Sequence, residues 1–211
     1  MRRGIFITFE GGEGAGKSTQ LRLLSDRLAA TGREIVATRE PGGSQGAEAI
    51  RALLVQGAAD RWSALSETLL LYAARADHLE RLIRPALARG AIVICDRFAD
   101  STRAYQGAAG GVAPDFIDRV EREVLAQTRP DLTLILDLPA EVGLARAEGR
   151  GGAEARFEGK GLPFHQRLRE GFLAIAAAEP ERSVVIDADR PMEPISEDIA
   201  RAVADLMRRV S

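Results

Sequence analysis

Eight residues near the N-terminus, Gly-Gly-Glu-Gly-Ala-Gly-Lys-Ser at 11–18, constrain the fold of this chain more than any other feature. They follow an apolar, β-branched run that predicts a strand over residues 4–10, and they precede a helical pattern that begins near Thr19. Glycine permits a tight turn whose backbone N–H groups point inward, and the next helix directs its positive end to the same place. The strand, loop and helix together predict a binding site for a chain of phosphates.

Two side chains of this loop predict how a nucleoside triphosphate would be held. Lys17 can reach the β- and γ-phosphates, and the hydroxyl of Ser18 can bind Mg²⁺. The chain has 29 basic residues but only one other lysine, Lys160, so composition alone does not explain a lysine here. The alternative is a glycine-rich turn that binds nothing, which the flanking strand and helix disfavour. The predicted triphosphate contacts are Gly11, Gly12, Glu13, Gly14, Ala15, Gly16, Lys17, Ser18 and Thr19.

Composition narrows the classes of protein to which the chain can belong. A net charge of −2 disfavours a general nucleic-acid surface, and no apolar run approaches the length of a membrane-spanning helix. The N-terminus leads straight into the first predicted strand, so we expect no signal peptide. The single cysteine, Cys95, cannot form an internal disulfide, which is typical of a reducing cytoplasm.

Short apolar runs alternate with longer helical stretches along the chain. Such runs are typical of strands that are buried on both faces, and the helical stretches between them predict right-handed crossovers. The sequence therefore predicts an α/β fold, with a five-stranded parallel sheet flanked by helices on both faces, in a single domain of residues 1–211. The predicted strands are residues 4–10, 34–38, 91–95, 132–138 and 184–186.

The longest helical pattern covers residues 63–88. Its apolar residues recur at spacings of three and four, which predicts a stripe facing the core, while Arg75 can point to a cleft. Pro85 lies inside the pattern and predicts either a kink or a break into two helices. The predicted stripe comprises Leu65, Leu69, Tyr72, Ala76, Leu79, Ile83 and Leu87.

Charged residues follow two other predicted strands. Asp96 comes directly after the third strand, where open α/β sheets bind ligands, and it can hold magnesium beside Ser18. Arg97 can then bridge two phosphate groups, although an Asp–Arg pair that caps the next helix is an open alternative. Arg39 ends the second strand and can bind an anion with a bidentate fork, ahead of a Pro-Gly-Gly turn at 41–43.

A segment rich in glycine and charge, residues 148–161, interrupts the apolar pattern. We interpret it as a mobile lid over approximately residues 146–160. Its arginines can neutralise charge on a phosphoryl group during transfer, and closure of the lid would expel water. The alternative is a solvated helix end in which the arginines pair with glutamates. The lid arginines are Arg146, Arg150 and Arg156.

Taken together, these segments resemble the bacterial thymidylate kinase family over nearly the whole chain and in the same order. The phosphate loop is shared by many families, but Arg-Glu-Pro-Gly-Gly at 39–43 and Ala-Tyr-Gln-Gly at 104–107 are more specific. The other matching segments are 9–18, 72–75, 96–103, 129–133 and the lid.

The resemblance implies a P-loop NTPase fold and magnesium-dependent transfer of the γ-phosphoryl group of ATP to dTMP, a step in dTTP synthesis for DNA replication. It implies that Arg39 and Arg97 hold the monophosphate, Arg75 binds the thymine edge, and Glu13 faces the 3′-hydroxyl. The implied dTMP contacts are Glu13, Arg39, Pro41, Leu71, Arg75, Arg97, Thr102, Tyr105 and Gln106.

The remaining implied roles concern ATP, the metal and the assembly. The catalytic cations would be Lys17, Arg39, Arg97, Arg150 and Arg156. ATP would also contact Arg146 and Arg150, its adenine would lie near the loop at 187–191, and Mg²⁺ would bind Ser18 and Asp96. The family is usually a cytoplasmic homodimer, with no nucleic-acid or membrane partner.

Two positions depart from the family pattern. Leu71 stands where the family often has a phenylalanine that stacks on thymine, so either Leu71 or the adjacent Tyr72 would pack against the base. An aromatic stack is worth about 1–3 kcal/mol per base. In the lid, Ala155 stands where an acid often precedes the arginine.

Three other functions are alternatives to this one. A kinase for a different nucleoside monophosphate is the nearest alternative. A guanine-specific switch needs an Asn-Lys-x-Asp segment, and the chain contains no asparagine. A nucleic-acid-stimulated ATPase is disfavoured by the mild acidity of the chain.

We assign no general base, because the acceptor phosphate is already ionised near pH 7. We interpret His78 and His165 as packing or surface residues.

Overall fold

The structure is a computed structural model, and it describes residues 3–57, 61–148 and 159–210. Five parallel strands form one sheet in the order β2-β3-β1-β4-β5, which confirms the predicted α/β architecture. Each predicted strand end lies within one residue of the observed end. The strands are β1 (Ile5–Glu10), β2 (Ile35–Arg39), β3 (Ile92–Asp96), β4 (Leu132–Asp137) and β5 (Ser183–Asp187).

Helices cover both faces of the sheet. They are α1 (Lys17–Ala29), α2 (Gln45–Val55), α3 (Ala64–His78), α4 (Arg84–Ala88), α5 (Ala99–Thr102), α6 (Pro114–Leu125), α7 (Ala140–Glu148), α8 (Leu162–Ala178) and α9 (Met192–Val210). One face packs against α1 and α9, and the other packs against α3, α6 and α8. Every residue of β1 is buried, including Thr8 and Glu10, so the strand shows no alternation of buried and exposed positions.

The first and third strands are neighbours, although α1 and α5 continue from them toward opposite faces of the sheet. Phe9 lies opposite Asp96 in the β1–β3 register, so both strands end side by side. Chains that leave adjacent parallel strands toward opposite faces open a crevice at the carboxyl ends. This crevice brings the phosphate loop next to the segment that follows Asp96.

The long helical pattern continues past Pro85 without a break. A π-helical turn at Leu79–Ile83 joins α3 to α4, and Pro85 lies in the first turn of α4. A proline in a regular α-helix has no N–H to donate, and its ring collides with the carbonyl four residues earlier. The wider π turn directly before it relieves that collision, because its hydrogen bonds span five residues.

The prediction of a continuous core stripe is wrong for Leu65 and Leu69, which are each 48% exposed. Farther along the helix, Tyr72, Leu79 and Ile83 are buried as predicted. Over its first turns α3 packs along α2 and turns Glu67 and Thr68 inward, which leaves the two leucines on the outer side.

Most of the predicted lid lies outside the described residues, including Arg150, Arg156 and Ala155. Arg146 at the end of α7 and Lys160 before α8 are described. Among the helices of the described ranges, none combines the length and apolar character needed to cross a membrane.

The phosphate loop rests directly on α7. A Cβ atom placed on Gly143 would lie 2.5 Å from the backbone oxygen of Glu13, and one on Gly14 would lie 2.3 Å from the oxygen of Gly143. Such separations are too short for a carbon atom, so the two backbones can approach this closely only through glycine. The contact joins the loop to the element that leads into the predicted lid.

We expect Gly143→Ala to lower the free energy of unfolding by about 1–2 kcal/mol, because overpacking costs about 1–3 kcal/mol and improved helix propensity returns up to about 1 kcal/mol. Thermal unfolding without nucleotide measures the change. Gly12→Ala is the matched control, since no atom lies within 4 Å of a Cβ atom at that position. Equal melting temperatures for Gly143→Ala and the unsubstituted protein would contradict the prediction.

Candidate active site

The phosphate loop has the backbone that its glycines predict. Gly11, Gly14 and Gly16 have φ angles of 130°, 69° and 84°, values that other residues rarely adopt. Gly16 precedes the first turn of α1 and provides no side-chain cap. The first N–H groups of α1 therefore point toward the loop, where they can bind an anion.

The ammonium group of Lys17 lies over this loop. Its side chain is buried, and Nζ donates to the backbone oxygens of Gly11 at 3.2 Å and Gly12 at 2.7 Å. These carbonyls hold the positive charge at the centre of the turn, where a phosphate oxygen can also reach it.

The structure brings Ser18 and Asp96 together, as the strand order requires. The hydroxyl of Ser18 donates to Oδ2 of Asp96 at 2.6 Å. The alternative in which Asp96 caps the next helix is not observed, because α5 begins without a side-chain cap. Within the described ranges, no group of three or more acidic, histidine or cysteine residues could hold a metal. A hydroxyl and one carboxylate nevertheless fit Mg²⁺, which usually takes its other ligands from phosphates and water.

A cluster of three side chains connects the loop to the segment after β3. The Arg97 guanidinium donates to Glu13 Oε1 and to the backbone oxygen of Gly11, both at 3.0 Å. The Tyr105 hydroxyl donates to the same Glu13 oxygen at 2.5 Å, and its ring centre lies 4.9 Å from Arg97 Cζ. Arg97 has a φ of 67°, and this backbone turn directs its side chain back to the loop.

Arg75 lies at the centre of the second part of the site and is 2% exposed. Its Nε donates to Glu40 at 2.7 Å, and its Nη2 donates to Thr102 Oγ1 at 3.0 Å and to the backbone oxygen of Phe98 at 3.1 Å. Burial by itself lowers the pKa of Arg75, but the charge and hydrogen bond of Glu40, together with the charges of Tyr72 and Glu121, more than offset it, so the net shift is upward. The guanidinium is therefore a fixed cation.

A second layer of polar residues holds Glu40 in place. His78 is fully buried, with Nδ1 3.1 Å from Glu40 Oε1 and Nε2 2.8 Å from Thr38 Oγ1. The packing interpretation of His78 is therefore correct, and its partners place it behind Arg75. His165 is also buried and meets the ring of Phe164 edge-on at 5.4 Å.

A cavity that is open on one side extends from the phosphate loop between α2, α3 and α5. Eight of the nine residues predicted to contact dTMP line it: Glu13, Pro41, Leu71, Arg75, Arg97, Thr102, Tyr105 and Gln106. Two polar atoms of this lining, Nη1 of Arg75 and Oε1 of Gln106, are buried and have no hydrogen-bond partner in the described parts of the chain. Buried polar atoms of that kind are costly unless a ligand satisfies them.

Arg39 is the predicted residue that does not line the cavity. Its backbone lies opposite Asp96 in the β2–β3 register, but its guanidinium binds both carboxylate oxygens of Glu48, at 2.9 and 3.1 Å. The pair is about half exposed. Exposed ion pairs contribute little stability, so a phosphate group could replace Glu48 as the partner.

Of Leu71 and Tyr72, the two candidates to pack against the base, only Leu71 lies in the cavity wall. Tyr72 is buried on the other side of α3, where its hydroxyl donates to Glu121 at 3.3 Å and its ring packs against Arg75. Burial raises the pKa of the Tyr72 hydroxyl, so it stays protonated.

Sequence reasoning missed several residues of the cavity wall. They are Glu40, Arg51, Leu54, Val55, Phe98 and Ser101. Glu40 and Phe98 lie inside the matching segments 39–43 and 96–103, so their position next to assigned residues could have identified them as part of the site. Leu54 and Val55 end an ordinary amphipathic helix and carried no such signal.

Glu10 is a further buried acid next to the site. Its oxygens accept from the backbone N of Phe98 at 2.8 Å and from the hydroxyl of Ser101 at 2.5 Å. Burial, helped by the charge of Asp100, raises the pKa of Glu10 to about 7. The hydrogen bonds and the charge of Arg97 offset only part of that increase.

On the other side of the phosphate loop, Arg146 connects α7 to the segment after β5. Its guanidinium donates to Asp189 at 2.9 Å and to the backbone oxygen of Ala188 at 3.3 Å. The structure thus brings one predicted ATP-binding arginine to the loop where the adenine was expected.

Comparisons with known proteins agree on one family. A family model described as thymidylate kinase matches residues 9–199. A thymidylate kinase of Caulobacter vibrioides is 66% identical over 203 residues, which cover 96% of this chain and 97% of that protein. One of Nitrobacter winogradskyi is 52% identical, over 97% and 90% of the two chains. A crystal structure of thymidylate kinase from Ehrlichia chaffeensis gives a TM-score of 0.79 at 33% identity, covering 95% of this chain and 99% of that one.

We expect Glu10→Gln to flatten the pH dependence of stability between about pH 4.5 and 7. In this window the folded protein holds a proton on Glu10 that the unfolded chain has released. The contribution of Glu10 to the free energy of unfolding is therefore full at low pH and is lost as pH rises toward 7. Glutamine keeps the shape of the side chain but does not titrate. Melting temperatures at pH 5, 6, 7 and 8 test this, and parallel curves for the two proteins would contradict it.

Proposed function

The chain belongs to the thymidylate kinase family, and from that premise we propose how its residues phosphorylate dTMP to dTDP with ATP as the donor. The assignment of residues rests on the position of Arg97. Arg97 binds the phosphate loop through Gly11 and also lines the adjoining cavity. A donor phosphate chain in the loop and an acceptor in the cavity would therefore meet at a single guanidinium group.

The donor side is formed by the loop and the start of α1. Phosphate oxygens would accept from the backbone N–H groups and from Lys17, in place of the carbonyls of Gly11 and Gly12. Ser18 and Asp96 would hold Mg²⁺, which when bound neutralises charge on the β- and γ-phosphates. Arg146 would lie beside the adenine, near the loop that contains Asp189.

The acceptor base would occupy the cavity. Nη1 of Arg75 can donate to O4 of thymine, and Oε1 of Gln106 can accept from its N3–H group, which would satisfy both unpartnered atoms. Leu71 supplies an apolar wall, and Thr102 lies at the base edge beside Arg75. The sugar would lie against Tyr105, whose hydroxyl bond to Glu13 leaves little room for a 2′-hydroxyl.

Catalysis would consist of positioning and charge stabilisation. Arg97 would hold the acceptor phosphate in line with the γ-phosphate, and Arg39 would exchange Glu48 for the same phosphate. Arg150 and Arg156 would add positive charge to the transferring group when the lid over residues 146–160 closes on the single kinase domain. The ionised acceptor oxygen attacks directly, so no general base is required.

The substrate assignment is tested with purified protein, ATP and Mg²⁺ in a coupled assay for ADP. Initial rates with dTMP, dUMP, UMP, CMP, AMP and GMP should show a clear preference for dTMP. Preference for another base would show that a kinase for that nucleotide is the better assignment. Hydrolysis of ATP stimulated by DNA, without transfer to dTMP, would show an ATPase.

We also propose that the protein is a cytoplasmic homodimer. Leu65 and Leu69 lie one helical turn apart on the outer side of α3 and are each about half exposed, and Leu53 of α2 is 41% exposed. Exposed leucines at this spacing match a surface on which a second copy of the helix can pack. A nucleotide substrate and a free, buried Cys95 suit the cytoplasm.

Lys17→Ala should lower kcat/KM for dTMP by a factor of at least about 10²–10³, the effect of removing one strong donor to developing charge. The fold should remain, because Lys17 is the first residue of α1 and its side chain lies over the phosphate loop, outside the apolar clusters of the core. Arg22→Ala removes a positive charge from the exposed side of the same helix and is the matched control. Near-normal turnover in Lys17→Ala would remove the role we give this residue.

Replacing both Leu65 and Leu69 with glutamate should convert the dimer to a monomer, because buried like charges would face each other across the interface. Analytical ultracentrifugation at micromolar protein measures the state. Met192→Glu changes an equally exposed apolar residue at the start of α9 and should leave the dimer intact. An unsubstituted protein that sediments as a monomer would refute the proposal.

A further inference from the structure

The amide of Gln106 is held from behind by a buried carboxylate. Gln106 is 2% exposed, and its Nε2 donates to Oε1 of Glu67 at 2.7 Å. Glu67 is equally buried and lies on α3, two helical turns before Arg75. One helix therefore supplies both Arg75 and the group that orients Gln106.

An amide side chain can present either its oxygen or its nitrogen to a neighbour. A carboxylate can only accept, so it requires the nitrogen of Gln106 and leaves the oxygen for the opposite side. That oxygen belongs to a residue of the cavity wall and is one of the buried polar atoms without a partner in the described ranges. Turning the amide over would lose the bond to Glu67 and would place two oxygens against each other.

We propose that Glu67 is a specificity-determining positioning residue, which fixes the Gln106 amide with its oxygen toward the base and so selects thymine over cytosine. The inference rests on the proposed function, in which the base of dTMP lies in this cavity. Glu67 is not part of the cavity wall and would influence the base through Gln106.

The chemistry of the two bases supports this assignment. Thymine presents an accepting O4 and a donating N3–H, which match Nη1 of Arg75 and Oε1 of Gln106. Cytosine presents a donating amino group and an accepting N3, so both contacts become repulsive. Sites that are built to form hydrogen bonds reject such analogues strongly, because their buried polar atoms are then left unpaired. Uracil has the same edge as thymine, so Glu67 should not discriminate between these two.

Glu67→Gln tests the proposal because it keeps the shape of the side chain but replaces one hydrogen-bond-accepting oxygen with a donating NH2 group. Both orientations of Gln106 then become possible with a hydrogen bond to the new amide. If half the molecules hold each orientation, KM for dTMP should rise about twofold, because only half of them are competent to bind it. The orientation with the Gln106 nitrogen toward the base is rare in the unsubstituted protein, so kcat/KM for dCMP should rise about tenfold. The kcat for dTMP should change little, because the reacting phosphate is untouched, and the dTMP-to-dUMP ratio should stay the same.

Glu121→Gln is the matched control, since Glu121 is also 2% exposed but pairs with Arg103 and Tyr72 away from the cavity. It should lower thermal stability without changing the dTMP-to-dCMP ratio. If Glu67 had only a structural role, Glu67→Gln would lower the activities with dTMP and dCMP by the same factor. An unchanged dTMP-to-dCMP ratio in Glu67→Gln would therefore overturn the proposal.

The exchanged pair, Glu67→Gln with Gln106→Glu, provides a second test that does not depend on how well the single variant folds. The amide introduced on α3 would donate to one oxygen of the carboxylate introduced in the cavity wall, and the other oxygen would face the base in either arrangement. Selectivity for dTMP over dCMP should return, and loss of selectivity in this variant would also refute the proposal. If the unsubstituted protein does not prefer dTMP, the proposed function fails. If it does prefer dTMP and Glu67→Gln keeps the same selectivity, only this inference fails.

Discussion

The parallel pairing of β1 with β3 is the constraint on which the rest of the site depends. It places Phe9 opposite Asp96, so the phosphate loop and the segment after β3 start from adjacent points. The bond between Ser18 and Asp96 and the contact of Arg97 with the loop both follow from that register. A shift of one residue would turn every side chain of the strand to the other face and would separate these groups.

Buried polar residues behind the cavity give it a fixed hydrogen-bonding pattern. Glu40, supported by His78, holds Arg75, and Glu67 holds Gln106. In a low dielectric, a half-satisfied network is costly, so each member restricts the orientation of the next. Two buried atoms of wall residues, Nη1 of Arg75 and Oε1 of Gln106, are thus held in place without a partner in the described ranges, and a ligand that matched them would not have to order them.

The parts of the site that lie in glycine-rich or charged motifs could be predicted from the sequence. The placement of Ser18 beside Asp96 followed from strand ends alone, because parallel strands end at the same edge. The pairing of Arg39 with Glu48 could not be predicted, since many carboxylates lie within its reach. The exposed positions of Leu65 and Leu69 were also missed, because a helical stripe shows which side is apolar but not what covers it.

The sequence by itself determined the sheet, the phosphate loop and the residue types available for phosphoryl transfer, because local periodicity and glycine conformation depend on near neighbours along the chain. Only the tertiary structure decided which polar atoms remained for a base and which side chains oriented them. Glu67 and Gln106 are far apart in sequence, and their hydrogen bond exists because α3 packs against the π-helical turn Arg103–Ala108 that follows α5. Such a contact depends on the packing of whole elements, which no local pattern of residues records.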